Sequence, residues 1–264
     1  TAIGSLTTTL VLLIHFIKRK NRIKISFKEV SFSMIKKVVG CGISTFLMEV
    51  ASGFVIFIFN IQIIKYIGDI GIVVYGIISN CIIVGMALFN GVAQASQPII
   101  ATNYGAKEKC RVKKVFEYAM KTTILLGFLL FSIVFIFTKE VICIFVKADY
   151  RIINMGVPAV RMYLSSFCIM NINVLFANYF QSTEREKISI IISITRGFLL
   201  NVILVLSLPT ILGGLSLWVI VPLTEIISLL GIILYIKKYY YKSNENIKCN
   251  NFELTNEIEY KNIQ

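Results

Sequence analysis

Two acids stand inside apolar runs. Glu49 lies in STFLMEVASGFVIF and Glu225 in LWVIVPLTEIISLLGIIL. An acid at bilayer depth costs roughly 2.5–3.5 kcal/mol on insertion scales, so it must face other helices or water. There it can hold a cation or carry a proton. The carboxamides Asn60, Asn80, Gln94, Gln97, Asn171 and Asn178 occupy similar runs, where they either line an aqueous cavity or bond neighbouring helices. Other chemistry is poorly supplied. The chain has one histidine, His15, and two aspartates, Asp69 and Asp149. Six cysteines are scattered without a C-x-x-C pair. No His-based triad, metal cluster or disulfide framework is expected, and no cofactor. The reading is therefore not an enzyme.

The elements that must position these residues are membrane spans. Of 264 residues, 56% are hydrophobic and 16% charged, and the mean hydropathy is +0.78. A span needs about 20 apolar residues. Complete spans are predicted near 38–64, 70–102, 118–137, 152–180, 188–210 and 214–236, after a partial one over 1–17. The fold class is thus all-α integral membrane, a six-helix lobe plus the end of a preceding helix. Residues 18–37 form a basic loop and 237–264 a polar tail. The opening TAIGSLTTTLVLLIHF lacks an initiator Met, a basic n-region and a cleavage site. It reads as a span already under way, so the chain is expected to be a fragment.

Net charge is +13, which in a soluble protein would point to nucleic acid. Here the base lies at the ends of apolar runs. Loops 18–37, 103–114 and 181–187 and the start of the tail hold eighteen Lys and Arg, and the opposite loops four. The positive-inside bias places the first set and the tail in the cytoplasm, with the spans in a plasma membrane. Membrane lipids are partners and nucleic acid is not. Richness in Ile, Lys and Asn suggests an AT-rich bacterial genome.

Helical geometry of about 100° per residue groups the polar positions. Gly42, Thr45, Ser52, Gly53 and Asn60 fall within roughly 60° of Glu49. Gly76, Ala87, Gly91 and Gln94 fall within roughly 40° of Asn80, and Gln97 and Pro98 follow one turn later. Either face is a wet cavity wall or a packing seam of small residues, Glu49 being protonated in the second case. Pro98 is expected to bend its helix, and Gly105 to end it with positive φ. Asn171, Asn178 and Ser182 align, with Asn173 to one side. Arg161 is expected to snorkel outward and Arg196 to reach the cytoplasmic headgroups. Pro158, Pro209 and Trp218 are read as loop, kink and interface residues. Glu225 is either part of a structural ion pair or a transport residue.

GVAQASQPIIATNYGAK, followed by base including Arg111, resembles the end of the second helix in each lobe of MATE (multidrug and toxic compound extrusion) transporters. KKVVGCGISTFLMEV is similar to the opening of their seventh helix. TKEVICIFVKADYRIINMG resembles the loop after the ninth, FANYFQSTEREK and ITRGFLLN the tenth and eleventh, and GGLSLWVIVPLTE the twelfth. The resemblance covers essentially 1–237 and makes 38–236 the C-terminal lobe. It implies two pseudo-symmetric six-helix lobes around a cavity, exporting cationic amphipathic drugs in exchange for Na⁺ or H⁺. The N-terminal lobe is then a partner. Glu49 matches an acid on the seventh helix implicated in cation binding in one branch. The Asp which that branch carries on the tenth helix is replaced near Met170, and the Pro expected near Ser44 is absent.

Three functions follow in order. The first is half of a cation-coupled drug antiporter, with Glu49 in coupling and Asn60, Asn80, Gln94, Gln97, Asn171, Asn178 and Glu225 lining the substrate cavity. A flippase for lipid-linked sugars would want a more basic cavity than Arg196 and Arg161 provide. A non-functional truncated fragment is the third.

Overall fold

The computed structural model describes residues 6, 7, 9–11, 13, 14, 50–146 and 149–240. It divides into two units, 1–47 and 48–264. In the first, the described residues are helical and exposed. Glu49 lies outside the described residues, as do Gly42, Thr45 and His15.

The second unit is helical throughout its described residues, with no strand. In chain order it contains α1 (Val50–Tyr66), α2 (Asp69–Gly105), α3 (Lys109–Ile136) and α4 (Thr138–Phe145). Then come α5 (Tyr150–Leu164), α6 (Phe167–Ser182), α7 (Glu186–Ile194), α8 (Leu200–Leu212) and α9 (Ile220–Tyr240). A π-helical turn, Thr195–Leu199, joins α7 to α8, and a 3-10 turn, Gly214–Trp218, precedes α9. Five segments are long and apolar enough to cross a bilayer: α2, α3, Tyr150–Ser182, Glu186–Leu212 and Ile220–Lys238. The expected all-helical membrane fold is what is found.

α6 is the hub, packing against α2, α3, α7 and α9. The core gathers Phe59, Tyr75, Ile78, Phe89, Leu164, Phe167 and Trp218. Outward faces stay apolar, as hydrocarbon requires: Leu125, Phe128, Ile191, Leu206 and Leu234 are all exposed. Small residues set the closest approaches. A Cβ on Gly85 would meet the Phe167 ring at 2.5 Å, so α2 and α6 pack with nothing between them but that ring.

Several local expectations are corrected. The span predicted as 152–180 is present as Tyr150–Ser182, with a two-residue turn at Ser165 and Ser166 dividing it into α5 and α6; their hydroxyls bond the Met162 and Tyr163 carbonyls. Residues 138–145, read as loop, form α4, with Thr138 and Ile142 buried one turn apart. Gly105 is the last residue of α2, and the left-handed position after it is Lys107, φ 62°. Pro158 lies inside α5 and not in a loop. Trp218, read as an interface residue, is 2% exposed within the core.

Candidate functional site

Charge collects where α6, the π turn and α9 meet. Glu225 on α9 is buried. Asn173 on α6, fully buried, donates Nδ2 to Glu225 Oε2 at 2.6 Å and to the Glu225 carbonyl at 2.9 Å. Arg196 extends from the π turn and places Nη1 3.5 Å from Glu225 Oε1 and 3.5 Å from the Met170 carbonyl. The pair resolves the problem each charge poses alone, since an unpaired ion at this depth would be strongly disfavoured.

The local backbone serves this arrangement. A π turn inserts a residue into the α-helical ladder, and such bulges recur at functional positions. Here the turn carries Arg196, and Asn201 donates Nδ2 to the Arg196 carbonyl at 2.7 Å. That bond secures a carbonyl within a disturbed ladder. Tyr163 on α5 lies within electrostatic reach of Glu225 and shares a hydrogen bond with Tyr75 of α2. Phe59 stacks on Tyr75 at 5.5 Å.

A second feature is the stripe along α2. Gly76, Asn80, Ala87, Gly91 and Gln94 are all exposed, and Gln97 is half-buried. The opposite side of the helix, with Val74, Ile78, Phe89 and Ala93, is buried. Asn80 gives Nδ2 to the Gly76 carbonyl at 2.8 Å, so its oxygen remains as an outward acceptor. Pro98 has no N–H and leaves the Gln94 carbonyl without its usual helical donor. Polar backbone and side chains thus share one face. On α1, Ser52 and Gly53 are exposed, and half-buried Asn60 bonds the Ile56 carbonyl at 2.9 Å.

The remaining amides differ from these. Asn171 is buried and donates to the Thr123 carbonyl of α3 at 2.6 Å, which is the helix-bonding alternative for that residue. Asn178 is half-buried and bonds its own helix at the Val174 carbonyl. Arg161 does not extend freely outward. Its Nε bonds Thr138 Oγ1 at 3.2 Å, and its guanidinium lies 4.6 Å from the Phe135 ring centre. Arg196, expected among headgroups, turns inward to Glu225. Sequence reasoning set Asn173 aside because it fell off the Asn171–Asn178 face. The available signal was two deep charges of opposite sign in the last two spans.

A lobe of apolar helices, with five segments long enough to cross a bilayer, a buried ion pair and a polar outer stripe, defines a multi-pass membrane protein. A family model, MatE, matches residues 43–206. The chain belongs to this family, the MATE transporters. It is similar to the multidrug export protein MepA of Staphylococcus aureus, 25% identical over 218 residues, covering 82% of this chain and 47% of the relative. The chain therefore spans about half the length of such relatives. Among solved structures, it resembles a multidrug resistance MATE family transporter of the MOP superfamily in an outward-facing conformation. The TM-score is 0.72 at 18% identity, covering 88% of this chain and 52% of that one. A MOP superfamily transporter from Pyrococcus furiosus, described by the reverse polarity of its binding pocket, matches with TM-score 0.69 at 18% identity, covering 88% and 54%. At these identities the structures establish the fold, and the family resemblance read from the motifs is borne out.

Proposed function

We propose that this chain is the C-terminal half of an antiporter that exports cationic, amphipathic drugs in exchange for Na⁺ or H⁺. The α2 stripe carries the reading. Carboxamides exposed on the outside of a membrane lobe would be poorly solvated by hydrocarbon, so they border water. An N-terminal lobe facing that stripe would close a cavity between the two. Asn60, Asn80, Gln94 and Gln97 would supply acceptors, with Asn178 and Glu225 set deeper, while Asn171, spent on the Thr123 carbonyl, stays outside the cavity wall. Ile83 and Val84 are exposed beside Asn80, and they give the apolar half of an amphipathic guest a surface. Glu49 takes the coupling role. The basic loops and tail face the cytoplasm of a plasma membrane, among anionic lipid headgroups. A flippase fits less well, because the deep cation Arg196 is paired with Glu225 and leaves little base for a pyrophosphate.

Thiol labelling tests the cavity. In full-length protein stripped of native cysteines, Asn80→Cys and Gln94→Cys should react with a membrane-impermeant maleimide. Leu125→Cys and Ile191→Cys, equally exposed but on apolar faces, should stay unlabelled. Equal reaction at all four sites, or at none, sinks the cavity. Full-length protein should also lower cellular accumulation of a fluorescent cationic dye, and Glu49→Gln should weaken that effect. Unchanged efflux would remove Glu49 from the mechanism.

A further inference from the structure

Arg161 is a cation whose hydrogen-bonding capacity is only partly spent. It projects from α5 to the junction of α3 and α4, and these three helices pack on one another. Its Nε donates to Thr138 Oγ1 at 3.2 Å, and its guanidinium carbon lies 4.6 Å from the centre of the Phe135 ring. Thr138 is fully buried, and its hydroxyl donates to the Val134 carbonyl at 2.6 Å. It is thus a fixed acceptor that pins one edge of the guanidinium, while the ring covers one face. What remains is the fork of terminal N–H groups. Among the described residues, no carboxylate lies within ion-pair distance of that fork. Asp149 is engaged elsewhere, accepting from the Arg151 backbone N–H at the start of α5.

The depth of Arg161 follows from the charges along α3 and α4. Residues 122–138 carry none, and they amount to about 26 Å of helix at 1.5 Å per residue. That is close to the roughly 30 Å of a hydrocarbon core. Lys121 marks one edge of this stretch, and Lys139 and Glu140, both exposed, mark the other. Arg161, bonded to Thr138, sits at the second edge, in the leaflet opposite the basic 103–114 loop. The surface beside it is apolar: Phe135, Ile136, Phe137 and Met162 are all exposed.

A guanidinium does not shed its proton, and at the boundary of hydrocarbon its charge needs an anion. The planar fork matches two oxygens of a phosphate group. Exposed apolar side chains next to it suit acyl chains. A phospholipid meets both demands in one molecule. Net charge then selects the headgroup. Arg161 has no acid of its own to balance it, so an anionic headgroup neutralises it. A zwitterionic headgroup would bring a second cation to the same place.

We propose that Arg161 is the headgroup site for an anionic phospholipid in the leaflet opposite the basic loops. The phosphodiester lies on the guanidinium fork, Thr138 holds the fork in position, and an acyl chain runs along Phe135 and Met162. The site needs only the membrane-spanning fold and is independent of what the protein exports.

Photocrosslinking in vesicles tests the site. The full-length protein carries a photoreactive benzoyl-phenylalanine at position 135, which keeps a phenyl ring against the guanidinium. It is reconstituted in equal parts of phosphatidylglycerol and phosphatidylcholine, and the lipid adducts are weighed by mass spectrometry. Phosphatidylglycerol adducts should exceed the others about tenfold, the discrimination expected from one charge-assisted contact. The same probe at Leu125, exposed farther along α3, should show near parity. Arg161→Gln should bring position 135 to parity as well. Parity in the unmodified protein, or an excess that survives Arg161→Gln, overturns the proposal. Crosslinking to the protein itself in place of lipid would show the surface to be covered and overturns it too. Loss of the excess on adding millimolar inorganic phosphate would assign the fork to the free ion and not to a lipid. If the Gln variant does not insert, Thr138→Val decides: it keeps the side-chain volume and removes the acceptor that holds the fork. A reduced excess upholds the site and an unchanged one overturns it.

Discussion

Replacing Arg196 with methionine should destabilise the protein by about 3–5 kcal/mol at neutral pH, the usual cost of removing one partner from a buried ion pair. The loss comes mainly from stranding Glu225, which is 3% exposed and keeps only its Asn173 bonds. Glu225→Gln alone should cost less, since Arg196 is partly exposed and can reorient. The double variant Arg196→Met, Glu225→Gln should then recover most of what Arg196→Met lost. Reversible unfolding in mixed detergent measures all four corners of this cycle. Strictly additive losses would show that the two side chains are not energetically coupled, and the charge cluster would lose its physical basis.

Gly127→Ala should be more damaging than an alanine at the other described helical glycines of the lobe. A Cβ there would sit 2.7 Å from the Phe167 backbone carbonyl and would overlap the Asn171 amide. Backbone cannot turn aside as a flexible side chain can. α3 would have to move away from α6, the hub helix, and the Asn171 bond to the Thr123 carbonyl would break. Overpacking of this kind costs about 1–3 kcal/mol, and stranding a buried amide adds about 1–3 kcal/mol. Gly91→Ala is the control, because a Cβ on Gly91 meets nothing within 4 Å inside the lobe. It should unfold at nearly the parental detergent fraction. Equal stability of the two alanine variants would refute the close α3–α6 contact.

The labelling contrast between Asn80 and Leu125 concerns a different property. Both positions are exposed on the lobe, and only their chemistry distinguishes them. Burial alone cannot separate a surface that meets lipid from one that meets water. The amide stripe can, because hydrocarbon offers no partner to a carboxamide.

How much was legible in the sequence differs between elements. Apolar length found the spans of α2 and α7–α8 to within about three residues, whereas α3 starts at Lys109, nine residues before its predicted span, and α9 at Ile220, six residues after. The exposed face of α2 was legible too, since Gly76, Asn80, Ala87, Gly91 and Gln94 are related by one fixed rotation per residue. Features set by hydroxyls and turns were not. Ser165 and Ser166 place a turn inside a span that hydropathy reads as continuous. Lys107, and not the nearby glycine, takes the left-handed position that ends α2. Trp218 looked like an interfacial anchor by residue type, yet its 3-10 turn carries the ring into the core.

The sequence by itself determined that this is a helical membrane protein, where its spans lie and to which family it belongs. Those properties are written in local hydropathy, helical periodicity and ordered motifs, each readable within a single segment. Only the tertiary structure decided that Arg196 turns inward, that Asn173 and not Asn171 meets Glu225, and that Asn171 is spent on α3. These outcomes depend on how α6, the π turn and α9 cross. A crossing is set by the packing of many side chains at once, with Gly127 and Gly85 fixing how closely α6 is approached, and no one-dimensional pattern records it.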